Sequence, residues 1–209
     1  MSDNSHWTAV STPRKTPRQQ RSQETYEAIL DAAAQLFERL GYAAATTNKI
    51  AERAGVSIGS LYQYFPNKDA LLYALGERHV RDLSVRLEAL FGALRDSPPT
   101  LEQGVRILYE ALADLHRGDP HLHRLLYDQV PRPPEAAAQL RTIQAMWAAE
   151  VEWHLRRLGV GGPDPDITAL LLVEAAEAQV HGVMLDPPPG RSPDDCIQAA
   201  IALVVRSLS

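Results

Sequence analysis

The chain has 209 residues, 45% hydrophobic and 22% charged, with a net charge of −5; this excludes disorder along its whole length and suits one or two small domains. Aromatics are only 6% and the apolar set is dominated by Ala and Leu, which favours helices over strands. No unbroken apolar run approaches the ~20 residues of a membrane span, the start MSDNSHWTAV lacks a secretory pattern, and Cys196 stands alone, so a soluble protein of a reducing cytosol is expected.

Charge is unevenly spread. Residues 1–80 carry nine Lys/Arg against eight Asp/Glu, a balance of +1, and residues 81–209 carry −6. A polyanion is therefore expected at the N-terminal end. Residues 1–18 are rich in Ser, Thr, Pro, Arg and Gln and read as a disordered basic tail. Residues 14–23 hold four positive charges and no acid, which suits either a solvated tail or an arm that touches phosphates.

Proline breaks helix interiors, so the stretches between the 15 prolines are the candidate helices. In Gln19–Leu40 the residues Ile29, Ala33, Leu36, Phe37 and Leu40 recur in steps of three and four, and Gly41 supplies a stop. Leu101–Leu115, stopping at Gly118, and Ala136–Leu158, stopping at Gly159, read the same way, as do Thr168–Leu185 and Pro193–Leu208. The expectation is an all-α chain of about nine helices with no sheet.

Residues 46–71 read TTNKIAERAGVSIGSLYQYFPNKDAL. Thr46 or Thr47 can cap a short helix, Asn48–Ala54; Gly55 permits a sharp turn; Ser57 can cap a second short helix, Ile58–Phe65. Pro66 stops that helix and Asn67 caps the next at Lys68. Two short helices joined by a glycine-containing turn make a helix-turn-helix, whose second helix lies in the DNA major groove. Leu61 and Phe65 share one face of that second helix, while Tyr62 and Tyr64 read as exposed phenols. Gly59 allows close approach. Ser60 and Gln63 suit base edges, whereas Tyr62, Tyr64 and Lys68 suit phosphates, with Lys49 adding charge.

With IL-AA--LF---GY at Ile29–Tyr42 and TT---A--AGVS-GSLY-YF-NK--L at Thr46–Leu71, the chain resembles the TetR (tetracycline repressor) family of bacterial transcriptional regulators over about residues 20–75. The resemblance implies a three-helix DNA-binding head and a larger helical body that dimerises and binds a small effector. It places base-facing contacts on Thr47, Asn48, Ile58, Gly59, Ser60 and Gln63, and phosphate contacts on Thr46 or Thr47, Tyr62, Tyr64 and Lys68. Asn48 and Ile58 occupy positions where members differ widely, so no operator sequence carries over. The domains expected are the tail 1–18, a DNA-binding domain 19–66 and an effector and dimerisation domain 67–209.

The sequence carries two rival motifs. Gly55-Val56-Ser57-Ile58-Gly59 matches the G-x-S-x-G nucleophile elbow, but that motif needs a preceding strand, and here a helix precedes a capping serine. No enzyme is expected. His116, His121 and His123, with Asp119 and Asp128 nearby, have loose metal-ligand spacing; ordinary loop and helix-end histidines are commoner, and no metal or cofactor is expected.

The helix within Cys196–Leu208 is apolar around nearly its whole circumference and must be covered on more than one side. A partner copy is therefore expected, and the resemblance implies that the last two helices, 168–185 and 193–208, pair into an intersubunit four-helix bundle. Candidate effector-lining residues are Leu112, His116, Leu126, Tyr127, Met146, Trp147, Trp153 and Val180. The expected function is a homodimeric, cytoplasmic, bacterial repressor that binds a palindromic operator, associates with the nucleoid when bound, and is released by a small apolar or amphipathic molecule. The alternative is a ligand-binding or interaction protein with a degenerate DNA-binding head.

Overall fold

The computed structural model describes residues 20–116, 120–130 and 133–209; the expected tail and the stop at Gly118 lie outside them. Among the described residues there are nine α-helices, one π-helical turn and no strand, as the sequence predicts. They form two compact units, one within Met1–Arg81 and Asp119–Pro133, the other within Asp82–Gly118 and Pro134–Ser209. The domain boundary expected after residue 66 falls inside the first of these spans.

The first unit contains α1 (Gln20–Ala44), α2 (Thr47–Arg53), α3 (Ile58–Tyr64), the start of α4 (Lys68–Asp96) and α6 (Pro120–Gln129). On α1, Ile29, Leu30, Ala33, Leu36 and Phe37 form a helical stripe that is at most 3% exposed. It packs with Ile50 and Ala51 of α2, Leu61 of α3, Phe65, Leu71 and Leu75 of α4, and Leu122 and Leu126 of α6. Leu40, expected on that stripe, is 39% exposed.

Gly41 kinks α1 rather than ending it: its φ of 75° breaks the helical run, which resumes to Ala44. The carbonyls freed at that end are held by cations, as a helix C-terminus favours. Lys68 Nζ donates to Tyr42 O at 2.5 Å and Ala43 O at 3.4 Å, and Lys49 Nζ to Ala44 O at 3.1 Å. The Tyr42 hydroxyl donates to Asp69; burial and that carboxylate push its pKa well above the ordinary phenol value. On α6, the first-turn amide of Leu122 donates to Glu38 Oε2 at 2.5 Å, which satisfies one of the donors a helix start leaves open.

The second unit contains the rest of α4, then α5 (Leu101–His116), α7 (Pro134–Leu158), α8 (Pro165–Gln179), a π-helical turn (Val180–Met184) and α9 (Pro193–Leu208). The expected helix Thr168–Leu185 thus starts three residues earlier and changes winding at Val180. Val105, Tyr109 and Ala113 of α5 bury against Val180, Met184, Ile197, Ala200, Ile201 and Val204. Ser192 and Asp195 form a reciprocal capping box at the start of α9.

Pro165–Met184 is one helical stretch long and apolar enough to cross a membrane by length and composition, with a mean hydropathy of 1.3. It contains no long unbroken apolar run, because Asp166, Thr168, Glu174 and Glu177 interrupt the sequence. Ile167, Leu170, Leu171 and Val183 lie exposed along it, at 54%, 38%, 59% and 43%.

Tyr109 joins α5 to α8 by donating its hydroxyl to Gln179 Oε1 at 2.6 Å. Burial pushes its pKa up to about 12 from 10.0. A folded-state pKa raised above the unfolded one means that the stabilisation is intact below the unfolded value and is lost as pH climbs through the folded one. Denaturant midpoints measured from pH 9 upward should therefore fall between about pH 10 and 12. Tyr109→Phe should flatten that fall.

Candidate nucleic-acid interface

Local chemistry builds the α2–turn–α3 unit. The Thr46 hydroxyl oxygen accepts from Lys49 N at 3.3 Å and caps α2. Gly55, at φ 68°, makes the turn in a region that a side chain disfavours, and Val56 N returns to Ala51 O at 3.0 Å. Ser57 Oγ accepts from Ser60 N at 3.0 Å and caps α3. Asn67 Oδ1 accepts from Ala70 N at 2.9 Å and caps α4. Each expected cap is present; the helices end at Arg53 and Tyr64, one residue short of Ala54 and Phe65. Ser57 is spent as a cap after a helix and a turn, not presented above a sheet as a nucleophile elbow requires.

Leu61 is fully buried under α3 and Phe65 under its end. On the other face Ile58, Gly59, Tyr62 and Gln63 are exposed and Ser60 is half-buried. Thr46 and Asn48 of the preceding segment are exposed, and Thr47 is half-buried. The Thr47 and Tyr62 hydroxyls lie 3.2 Å apart, which ties α2 to α3 on this polar face. Lys68 is half-buried and its ammonium sits 4.2 Å from the centre of the Tyr42 ring.

Tyr64 corrects the expectation of two exposed phenols: it is 8% exposed. Its ring meets Tyr26 edge-on at 6.2 Å, and its hydroxyl lies 2.9 Å from Ser22 Oγ. The cause is helical spacing, since residue 64 follows Leu61 by three and so shares its core-facing side. Ser22, on the first turn of α1, went unnoticed in the sequence because its link to Tyr64 spans 42 residues.

Gly59 is the informative glycine. A Cβ built on it would meet only Ser57 Oγ, at 3.8 Å, and it has no positive φ. Among the described residues nothing requires a glycine there, although glycine weakens a helix by ~0.5–1 kcal/mol relative to alanine. The free space above it faces outward.

The effector candidates divide between the units. Leu126 is buried in the core of the first unit, and Tyr127 follows it on α6, so these two do not join the body as expected. In the second unit Leu112 packs against the cluster that contains Val180 and, with Trp147, against the cluster of Leu87, Phe91 and Leu94. His116 is 2% exposed, and its Nδ1 donates to Leu112 O at 2.6 Å. Trp153 lies under the Arg95 guanidinium at 4.6 Å, which also pairs with Glu150 at 2.7 Å. Met146 is 64% exposed and packs in none of the buried clusters.

Comparison with known proteins matches residues 29–75 to the N-terminal model of "Bacterial regulatory proteins, tetR family". Residues 100–208, more than half of the chain, match "Tetracyclin repressor-like, C-terminal domain". The chain is 34% identical over 128 residues to the HTH-type transcriptional activator FasR of Mycolicibacterium smegmatis, covering 61% of this chain and 55% of FasR. It is 35% identical over 88 residues to the repressor KstR2 of Rhodococcus jostii, covering 42% and 43%. The chain thus spans about half the length of these curated relatives. Among solved structures it is similar to SmeT, the repressor of the Stenotrophomonas maltophilia multidrug efflux pump SmeDEF, with 26% identity, a TM-score of 0.62 and coverage of 90% and 91%. With its helix-turn-helix built from the expected caps and both halves matched in order, the chain belongs to the TetR family of bacterial regulatory proteins.

Proposed function

We propose that the chain is a cytoplasmic transcriptional repressor that binds a near-palindromic operator as a homodimer and releases it on binding a small apolar or amphipathic molecule. The polar outer face of α3 carries this reading: a helix with Leu61 and Tyr64 buried presents Ile58, Gly59, Tyr62 and Gln63 outward. Gln63, Ser60, Thr47 and Asn48 suit base edges, and Thr46 and Tyr62 suit phosphates. Lys68, whose ammonium holds the end of α1, and Tyr64, whose hydroxyl lies beside Ser22, act chiefly by positioning α1 and α3. Residues 19–66 would read the operator and 67–209 would bind effector and dimerise. The tail 1–18 would add charge at the DNA.

Dimerisation is supported by the exposed apolar stripe of Ile167, Leu170, Leu171 and Val183, joined by Leu203 of α9 at 52% exposure. Such a stripe marks an interaction surface, and a self-complementary two-fold contact is the usual way to cover it. Two heads then read half-sites one or more turns apart, ~34–36 Å for one turn. Within the second unit Leu112, His116, Trp147, Trp153 and Val180 supply apolar walls with polar handles for an effector. The effector shifts DNA affinity only by its differential affinity for the two states.

Binding to mixed-sequence duplexes, followed by anisotropy across a salt series, tests the head. Tyr62→Ala should weaken binding on every sequence while leaving the salt slope unchanged, because a neutral phenol releases no counterion. Gly59→Ala should leave the fold as stable or firmer by up to ~1 kcal/mol yet weaken DNA binding, because its methyl group enters the space kept for the groove. Unchanged affinity in both variants would favour the degenerate-head alternative.

A further inference from the structure

His116 and His181 meet inside the second unit. His116 closes α5 and is 2% exposed. Its Nδ1–H donates to Leu112 O at 2.6 Å, which leaves the lone pair on Nε2. His181 is the second residue of the π-helical turn Val180–Met184. The two rings stand edge to face with centroids 4.8 Å apart and planes at 87°, and ring nitrogens of the pair approach within 4.8 Å. His116 Nε2 and His181 Nδ1 are both buried from solvent.

Three observations converge on a use for this pair. A buried imidazole whose second nitrogen donates to a backbone carbonyl has the tautomer and orientation that metal-ligating histidines take. The π-helical turn adds a residue to the α-helical register just where His181 sits, and such insertions are frequent at functional sites. The flanking side chains Val180, Met184, Tyr109 and Ala113 are buried core, so two imidazoles have been placed at the edge of apolar packing. The spacing of His116, His121 and His123 pointed to different partners, but His121 and His123 lie on α6 in the first unit.

We propose that His116, through Nε2, and His181 are two protein ligands of a borderline divalent transition ion such as zinc, with further donors completing its coordination. Neutral imidazole suits zinc, nickel and copper. The ion would pin the end of α5 to the π-helical turn. This site stands apart from the DNA reading, and metal uptake can be measured without DNA.

The test uses the full chain without a tag, stripped by chelator and titrated with zinc by calorimetry, with thermal melts in zinc and in EDTA. The expected result is saturable uptake of one ion per chain and a melt that rises in zinc and falls back in EDTA. His181→Ala and His116→Gln should each lower zinc affinity at least tenfold, while His121→Ala leaves it unchanged. His181 is half-buried, so its variant decides the matter if His116→Gln fails to fold. No saturable uptake at micromolar zinc, affinity unchanged in the two variants, or uptake that follows His121 would each overturn the proposal.

Discussion

Phe65→Ala should cost about 3–5 kcal/mol of the first unit's stability, the range for emptying a fully buried aromatic site. Phe65 is 0% exposed, and its ring packs 4.9 Å from that of Tyr26 on α1. It sits at the end of α3, where the backbone leaves the helix at φ −126° and ψ 111°. The same ring therefore fills the core and fixes the angle at which α3 is held. Around it Leu30, Leu61, Leu71 and Leu72 of the same core are at most 2% exposed, so little solvent can enter the void left behind. Urea unfolding followed by circular dichroism should show the loss, and DNA binding should fall with it. Phe65→Leu, which leaves less of a void, should recover most of both. An alanine variant as stable as the parent would mean that α3 is held by its polar contacts rather than by this core.

If the α8 stripe forms the proposed two-fold contact, Leu171→Asp should leave the protein monomeric and thereby remove high-affinity operator binding. Leu171 is 59% exposed in the single chain, the most exposed member of the α8 stripe. In a two-fold interface each substitution appears twice, and an unpaired carboxylate is then buried on both sides. That desolvation costs several kcal/mol per ion. The exposed aspartate does not strain the isolated subunit, so circular dichroism should be unchanged while mass by light scattering halves. Glu174, exposed on the same helix, provides the contrast: Glu174→Gln should leave the dimer intact. A Leu171→Asp protein that stays dimeric would place the subunit contact elsewhere.

The head could be read from the sequence because its determinants are local. Thr46, Ser57 and Asn67 cap helices three residues ahead of the amides they accept from, and Gly55 turns the chain between them. The stripe Ile29, Ala33, Leu36 and Phe37 likewise needs only periodicity. What escaped depends on residues far apart. Tyr64 went to the core through Tyr26 and Ser22, and α6 joined the first unit through Leu122, Leu126 and the Glu38 carboxylate 84 residues away. Winding changed from α to π at Val180 without a proline or glycine at that residue to mark it. The partner of His116 proved to be His181, 65 residues on, whereas spacing favoured its sequence neighbours. Periodicity shows that a face is apolar but not what covers it, which is why the stripe on α8 emerged only with the fold.

In vitro selection of duplexes from a random pool at near-physiological salt tests whether the proposed dimer reads a specific operator. The parent protein should recover one near-palindromic sequence, with specificity relaxed at one position in each half-site for Gln63→Ala. A pool that stays unenriched after repeated rounds with effector-free protein would contradict this reading.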